Sequence, residues 1–137
     1  MSQGAEIFLD FLTEPQLTSR VRDITGFGAV AVIVTASSRR SYEQAAKMLG
    51  HGGTLVCVSL PTEAFNIPLQ PLDFLNKGCS VIGIGAGRLD QVQEALDFSA
   101  KHDIRPVVTV FPLDQAEDVF KMIHKQKIIG RAVLDLS

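Results

Sequence analysis

From Ala29 to Pro61 the chain reads AVAVIVTASSRRSYEQAAKMLGHGGTLVCVSLP, a pattern that predicts one complete strand–helix–strand unit. The apolar run Ala29–Thr35 is continuous rather than alternating, as expected for a strand covered on both faces. Short residues from Thr35 to Ser38 follow it. Tyr42, Ala45, Ala46 and Leu49 then fall at i, i+3, i+4 and i+7, so one helix face packs on a sheet. A Gly-Gly turn at Gly52–Gly53 is expected to lead into a second apolar strand, Thr54–Leu60.

The same alternation of element types runs through the rest of the chain. Glu6–Phe11 reads as a short strand, and Thr13-Glu14-Pro15-Gln16 has the form of a capping box. The helix it opens carries a thin apolar stripe of Leu17, Val21 and Ile24. Beyond Leu60 the prolines at 61, 68 and 71 predict irregular chain before a short helix at Leu72–Lys77. A strand at Ser80–Ile84 and a helix at Leu89–Lys101 come next, then a strand at Pro106–Phe111. Asp114 and Glu117 form a second capping-box pattern ahead of a helix to Lys125, and Arg131–Leu136 closes as a strand. Alternating β and α with continuous apolar strands means an α/β protein with a mostly parallel sheet.

Composition narrows the partners more than the fold. The 137 residues suit a single domain over 1–137, and the net charge of −2 carries no basic stripe for nucleic acid or anionic membrane. No apolar run approaches the roughly 20 residues that span a bilayer. The N-terminus lacks a basic flank and a long apolar core, so a cytoplasmic, reducing setting is expected. Cys57 and Cys79 sit in apolar runs and read as core residues. His102 and His124 fall near helix C-termini, where an imidazole suits the dipole, and His51 falls in a turn.

Two glycine segments imitate a dinucleotide fingerprint. Gly26-Phe27-Gly28 precedes a strand, whereas pyrophosphate binding needs glycines between strand and helix, so it reads as an entry turn. Gly83-Ile84-Gly85-Ala86-Gly87-Arg88 does lie between strand and helix. Its G-x-G-x-G spacing has no acidic residue ending a strand about 20 residues later.

Taken in order, the blocks VTAS, SYEQAAKML, GGTLVCVSLP, IPLQPLDFLNKG, GRLDQVQEALDFSAKHDIRP and PLDQAEDVFKMIHKQKIIGRAVLDL resemble the zinc-dependent medium-chain alcohol dehydrogenases over nearly the whole chain. The resemblance implies a truncated Rossmann-like three-layer αβα domain with a mostly parallel open sheet. It equates the chain with the second half of the coenzyme domain and the segment that follows. With only 28 residues ahead of Ala29, the first two strands and their fingerprint are expected to be absent.

The roles that the resemblance carries over all line a cofactor. Thr35, Ala36 and Ser37 match the loop beside the nicotinamide ribose. Ser59, Leu60 and Pro61 match a Gly-Leu-Pro turn against the cofactor, with Ser in place of Gly, and Arg88 matches an arginine near the nicotinamide end. The turn ahead of Arg88 is one residue short of the family pattern. These departures imply NAD(P) binding that is weak or lost. No zinc is expected, because the cysteines and histidines show no ligand spacing and a catalytic zinc needs three protein ligands.

Three functions follow as alternatives. The first is an alcohol dehydrogenase-like protein with half of a coenzyme cleft, not competent in hydride transfer alone. The second is a repurposed non-redox enzyme, an isomerase, cyclase or lyase acting on a small-molecule ligand, with Ser37, Arg39, Arg40, Glu63, Asp73 and Arg88 as candidate groups. The third is an interaction module, a homo-oligomer joined through a sheet edge. The resemblance implies pairing through Ser80–Ile84, and Ala29–Thr35 is expected to be a second edge, covered by Glu6–Phe11, by Arg131–Leu136 or by another chain.

Overall fold

A computed structural model describes residues 4–59, 61, 63–125 and 127–137. The chain resolves into two compact units, Met1–Ala86 and Gly87–Ser137. In the first, α1 (Leu17–Thr25) leads to β1 (Ala29–Val34), α2 (Arg39–Met48), β2 (Leu49–Cys57), α3 (Pro71–Lys77) and β3 (Ser80–Gly83). The three strands form a parallel sheet in the order β1-β2-β3. In the second unit α4 (Leu89–Lys101) is followed by β4 (Val108–Pro112), α5 (Ala116–His124) and β5 (Arg131–Asp135). Here β4 and β5 pair in parallel as a separate two-stranded sheet. The α/β class with parallel pairing is as the sequence pattern expects, although the strands divide between two sheets.

The core of the first unit follows from the face of α2 that the sequence marks. Tyr42 and Ala45 are buried there against Val34, Leu49, Leu55 and Cys79. Strand register sorts the sheet's two faces. Val32 pairs with Leu55 and Val34 with Cys57, and these point toward the core cluster. Ile33, Val56 and Ile82 share a register row, which puts them on the opposite face. Phe65, Ile67 and Leu69 from the proline-rich stretch pack against the cluster on the α2 side. Cys57 and Cys79 thus both serve the core, and burial pushes the Cys57 thiol up.

Several local expectations are corrected. Glu6–Phe11 is not a strand. Asp10 turns the chain instead: its carboxylate accepts the Leu12 N–H at 2.9 Å and its carbonyl accepts the Glu14 N–H at 2.8 Å. The Thr13–Gln16 capping box is not formed, because α1 starts only after Gln16 and has no side-chain cap. At the second expected box, Asp114 lies in a 3-10 turn (Leu113–Gln115) and α5 begins at Ala116. A reciprocal contact that the pattern did not single out stands before α3, where the Asp73 carboxylate accepts the Gln70 N–H at 2.9 Å.

Gly52–Gly53 is not a turn. Met48 ends α2 and Leu49 begins β2 with no loop between them. The glycine run is a strand irregularity, since Ala29 pairs with Leu49 but Ala31 already pairs with Thr54. Glycine is required at its start, where a Cβ on Gly50 would lie 2.7 Å from the Phe27 carbonyl oxygen. His51 is exposed within this irregularity rather than in a turn. Gly26 and Gly28 end α1 and enter β1, both at positive φ, as the entry-turn reading expects.

Candidate functional site

In open α/β sheets ligands bind beyond the carboxyl ends of the strands. At that end of β1 and β2 the chain ties two loops together. The Val58 and Ser59 N–H groups both donate to the Val34 carbonyl, at 3.2 and 3.1 Å. The Ser59 hydroxyl donates to the Ala36 carbonyl at 2.7 Å. From α2, the Tyr42 hydroxyl donates to the Ser59 carbonyl at 2.8 Å and lies 3.1 Å from the Ser59 Oγ. The Tyr42 ring is held in turn by Phe65, with centroids 5.2 Å apart. The loops at Thr35–Ser37 and at Ser59 are therefore fixed side by side.

Tyr42 was legible only as an apolar helix position. A buried tyrosine still needs a partner for its hydroxyl, and that rule is the signal that would have found the network. Phe65, inside a proline-rich stretch without periodicity, offers no such signal.

Two cavities divide the expected cofactor loop. One of about 310 Å³ is lined by Ser37, Ser38, Arg39, Pro61, Glu63, Ala64 and Phe65. It brings together Ser37 and Pro61, as the sequence resemblance implies. The other, of about 360 Å³, lies between β1 and α2 and includes Thr35 and Ala36 with Phe11, Arg40, Gln44 and Met48. Ser38 lines both and caps α2 by accepting the Ser41 N–H. Leu60 lies outside the described residues.

Arg88 stands at the head of α4 in the second unit. Its Nε donates to Asp90 Oδ1 at 3.0 Å, and the pair is exposed. This hydrogen bond raises the guanidinium and holds the Asp90 carboxyl below the usual carboxylate range. Of the other candidate groups, Ser37 and Glu63 line the smaller cavity, Arg39 pairs with Glu43 at 2.7 Å, and Arg40 lies over the Phe11 ring at 6.0 Å. Asp73 is committed to the start of α3. His102 caps the C-terminus of α4, stacked on Phe98, and His124 ends α5, so both stand at the expected helix ends.

Comparison with known proteins decides the family. A family model described as zinc-binding dehydrogenase matches residues 1–101. The chain belongs to the zinc-binding dehydrogenase family. It is 37% identical to an alcohol dehydrogenase of Schizosaccharomyces pombe over 137 residues, covering 99% of this chain and 39% of that protein. To an alcohol dehydrogenase of Geobacillus stearothermophilus it is 38% identical, over 97% of this chain and 38% of the relative. This zinc-binding dehydrogenase chain thus spans about two-fifths of the length of these curated relatives.

Solved structures agree on the fold. The alcohol dehydrogenase of Aeropyrum pernix superposes with a TM-score of 0.83 at 22% identity, over 97% of this chain and 38% of that one. Benzyl alcohol dehydrogenase from Acinetobacter calcoaceticus gives 0.84 at 17% identity, over 99% and 38%. The Rossmann-like α/β fold and membership of an oxidoreductase family are therefore established.

The family name mentions zinc, and a catalytic ion of that kind needs three protein ligands with an open position. Among the described residues no three His, Cys, Asp or Glu side chains gather to hold a metal ion. Among them, too, no helix is long and apolar enough to cross a membrane.

Proposed function

We propose that the carboxyl-end loops of β1 and β2 form one wall of a nucleotide cleft. That wall binds the ribose–nicotinamide end of NAD(P)(H) weakly, and the chain by itself does not transfer hydride. The reading rests chiefly on the Tyr42–Ser59–Ala36 hydrogen-bond chain, which holds Ser37 close to the Ser59 turn before any ligand arrives. Preorganised polar groups reduce the ordering that binding requires. The relatives named alcohol dehydrogenases support a nicotinamide cofactor for this cleft. Its volume of about 310 Å³ lies at the low end for ligand pockets, a size suited to part of a dinucleotide.

In this arrangement the Ser37 hydroxyl and Arg39 are placed to meet a ribose hydroxyl or a phosphate oxygen, while Pro61 and Phe65 supply the apolar side. The nicotinamide group, when bound, would supply hydride chemistry; the chain's own residues bind and orient.

The test is a titration with NADH followed by cofactor fluorescence, with nicotinamide mononucleotide and AMP as competitors. Enhancement at millimolar protein, reversed by the mononucleotide and not by AMP, is expected, with no ethanol oxidation. An absence of enhancement at millimolar protein would end this reading. Ethanol-dependent NADH formation by the purified chain would end the claim of incompetence.

A further inference from the structure

The two loops that meet beyond the carboxyl ends of β1 and β2 are anchored unequally. At the Ser59 turn, the Val58 and Ser59 N–H groups both reach the Val34 carbonyl, and the Ser59 carbonyl accepts the Tyr42 hydroxyl at 2.8 Å. Tyr42 is only 3% exposed and belongs to the core cluster, so the turn is fastened to the part of the unit least able to move. The Thr35–Ser37 loop is exposed. Among the described residues one hydrogen bond ties it across to another element, from Ser59 Oγ to the Ala36 carbonyl at 2.7 Å.

We propose that Ser59 is a positioning residue: its hydroxyl holds the Thr35–Ser37 loop in place, and Ser37, so placed, recognises the ribose of a nicotinamide nucleotide. On the cofactor reading above, on which this rests, Tyr42 fixes the turn and Ser59 fixes the loop. Ser59 lines neither of the two cavities at α2, whereas Ser37 lines the smaller one, so Ser59 acts through its neighbour and not on the ligand. A carbonyl can only accept, so the Ser59 proton is committed to Ala36. Its oxygen also stands 3.1 Å from the Tyr42 hydroxyl oxygen, which sets the side-chain rotamer from both ends.

The cavity's lining gives the ligand its chemical class. The Ser37 hydroxyl can donate and accept, as a vicinal diol requires, and the Glu63 carboxylate can accept from the same diol. Arg39, exposed although paired with Glu43, suits a phosphate ester, and the Phe65 ring, itself held against Tyr42, suits a flat heterocycle. Nicotinamide mononucleotide carries all three groups.

The whole chain, labelled with nitrogen-15 and titrated with nicotinamide mononucleotide, tests the proposal through its backbone amide shifts. Ser59→Ala and Ser37→Ala should each weaken binding about fivefold, the scale of one hydrogen bond. The double variant should bind no more weakly than Ser37→Ala, because one residue acts through the other. Without ligand, the heteronuclear NOE at Ala36 and Ser37 should fall in Ser59→Ala and hold at Val58, as for a loop released from a turn that stays anchored. Ser59→Thr keeps the hydroxyl and should restore both the ordered loop and the affinity. Losses that multiply to about twenty-fivefold in the double variant would make the two residues independent and overturn the proposal. So would an unaltered loop in Ser59→Ala, or a Ser59→Thr chain as loose as Ser59→Ala. A wild-type chain that takes up no mononucleotide at millimolar concentration would remove the cofactor reading and this proposal with it. Binding that Ser59→Ala leaves unchanged would remove this proposal alone.

Discussion

The two units use similar apolar content in opposite ways. In the first, α2 is clamped on β1 and β2, and Leu49 and Leu55 are fully buried. In the second, Val119 alone is buried among the described residues, and α4 presents Leu89, Val92, Leu96 and Phe98 to solvent. The difference lies in whether an amphipathic helix finds a sheet face to cover. Helix α2 does, flanked by β1 across the short Thr35–Ser38 loop and by β2 with no loop at all. Helix α4 has an equally periodic stripe, but within its own unit residues 102–107 separate it from β4. Periodicity names the face to be buried and leaves open what buries it.

The sharpest way to break this contrast is at the core. Leu55→Ala should destabilise the first unit by about 3 kcal/mol, a cavity-forming change at a fully buried site. Leu96→Ala, at a position 60% exposed, should change stability by less than about 0.5 kcal/mol. Urea unfolding followed by circular dichroism measures both, and equal effects would abolish the distinction between the units.

Next in size is Gly50→Ala, expected to lose about 2 kcal/mol because its Cβ would press on the Phe27 carbonyl. Gly85→Ala, where a Cβ meets open space, is the matched control and should be close to neutral. A smaller effect is expected for Tyr42→Phe. Losing the bond to Ser59 should cost about 1 kcal/mol and weaken NADH binding further than stability alone explains.

The smallest effect belongs to the second unit. Asp90 is held below the ordinary carboxylate range by Arg88, so its charge is favoured in the folded state. A depressed folded value means stability present above the unfolded value and lost as pH falls through the folded one. Arg88→Ala should move the Asp90 carboxyl carbon titration upward in NMR while leaving the melting temperature at pH 7 almost unchanged, since the pair is exposed.

What could be read ahead of the structure follows the same division. The β1–α2–β2 unit was legible because continuous apolar strands and a 3.6-residue stripe reinforce each other over adjacent segments. Glu6–Phe11 was misread because its alternation is strand-like, while Asp10 forms a local side-chain turn that outcompetes it and no partner strand stands beside it. At the candidate site, the approach of Ser37 to Pro61 was legible through the family resemblance. The division of Thr35 and Ala36 from Ser37 between two cavities was not, because it depends on where Phe11 and Phe65 come to rest.

The direct handover from Met48 to Leu49 has a kinetic consequence. Pairing β2 with β1 closes a segment of which α2 is the larger part, and a formed helix shortens the chain that must be closed. Contacts close in sequence are reached quickly, so β1, α2 and β2 are placed to form the nucleus on which later segments condense. Substitutions at Ala45 or Leu55 should then slow refolding, whereas those in β4 and β5 should speed unfolding and leave the refolding rate alone.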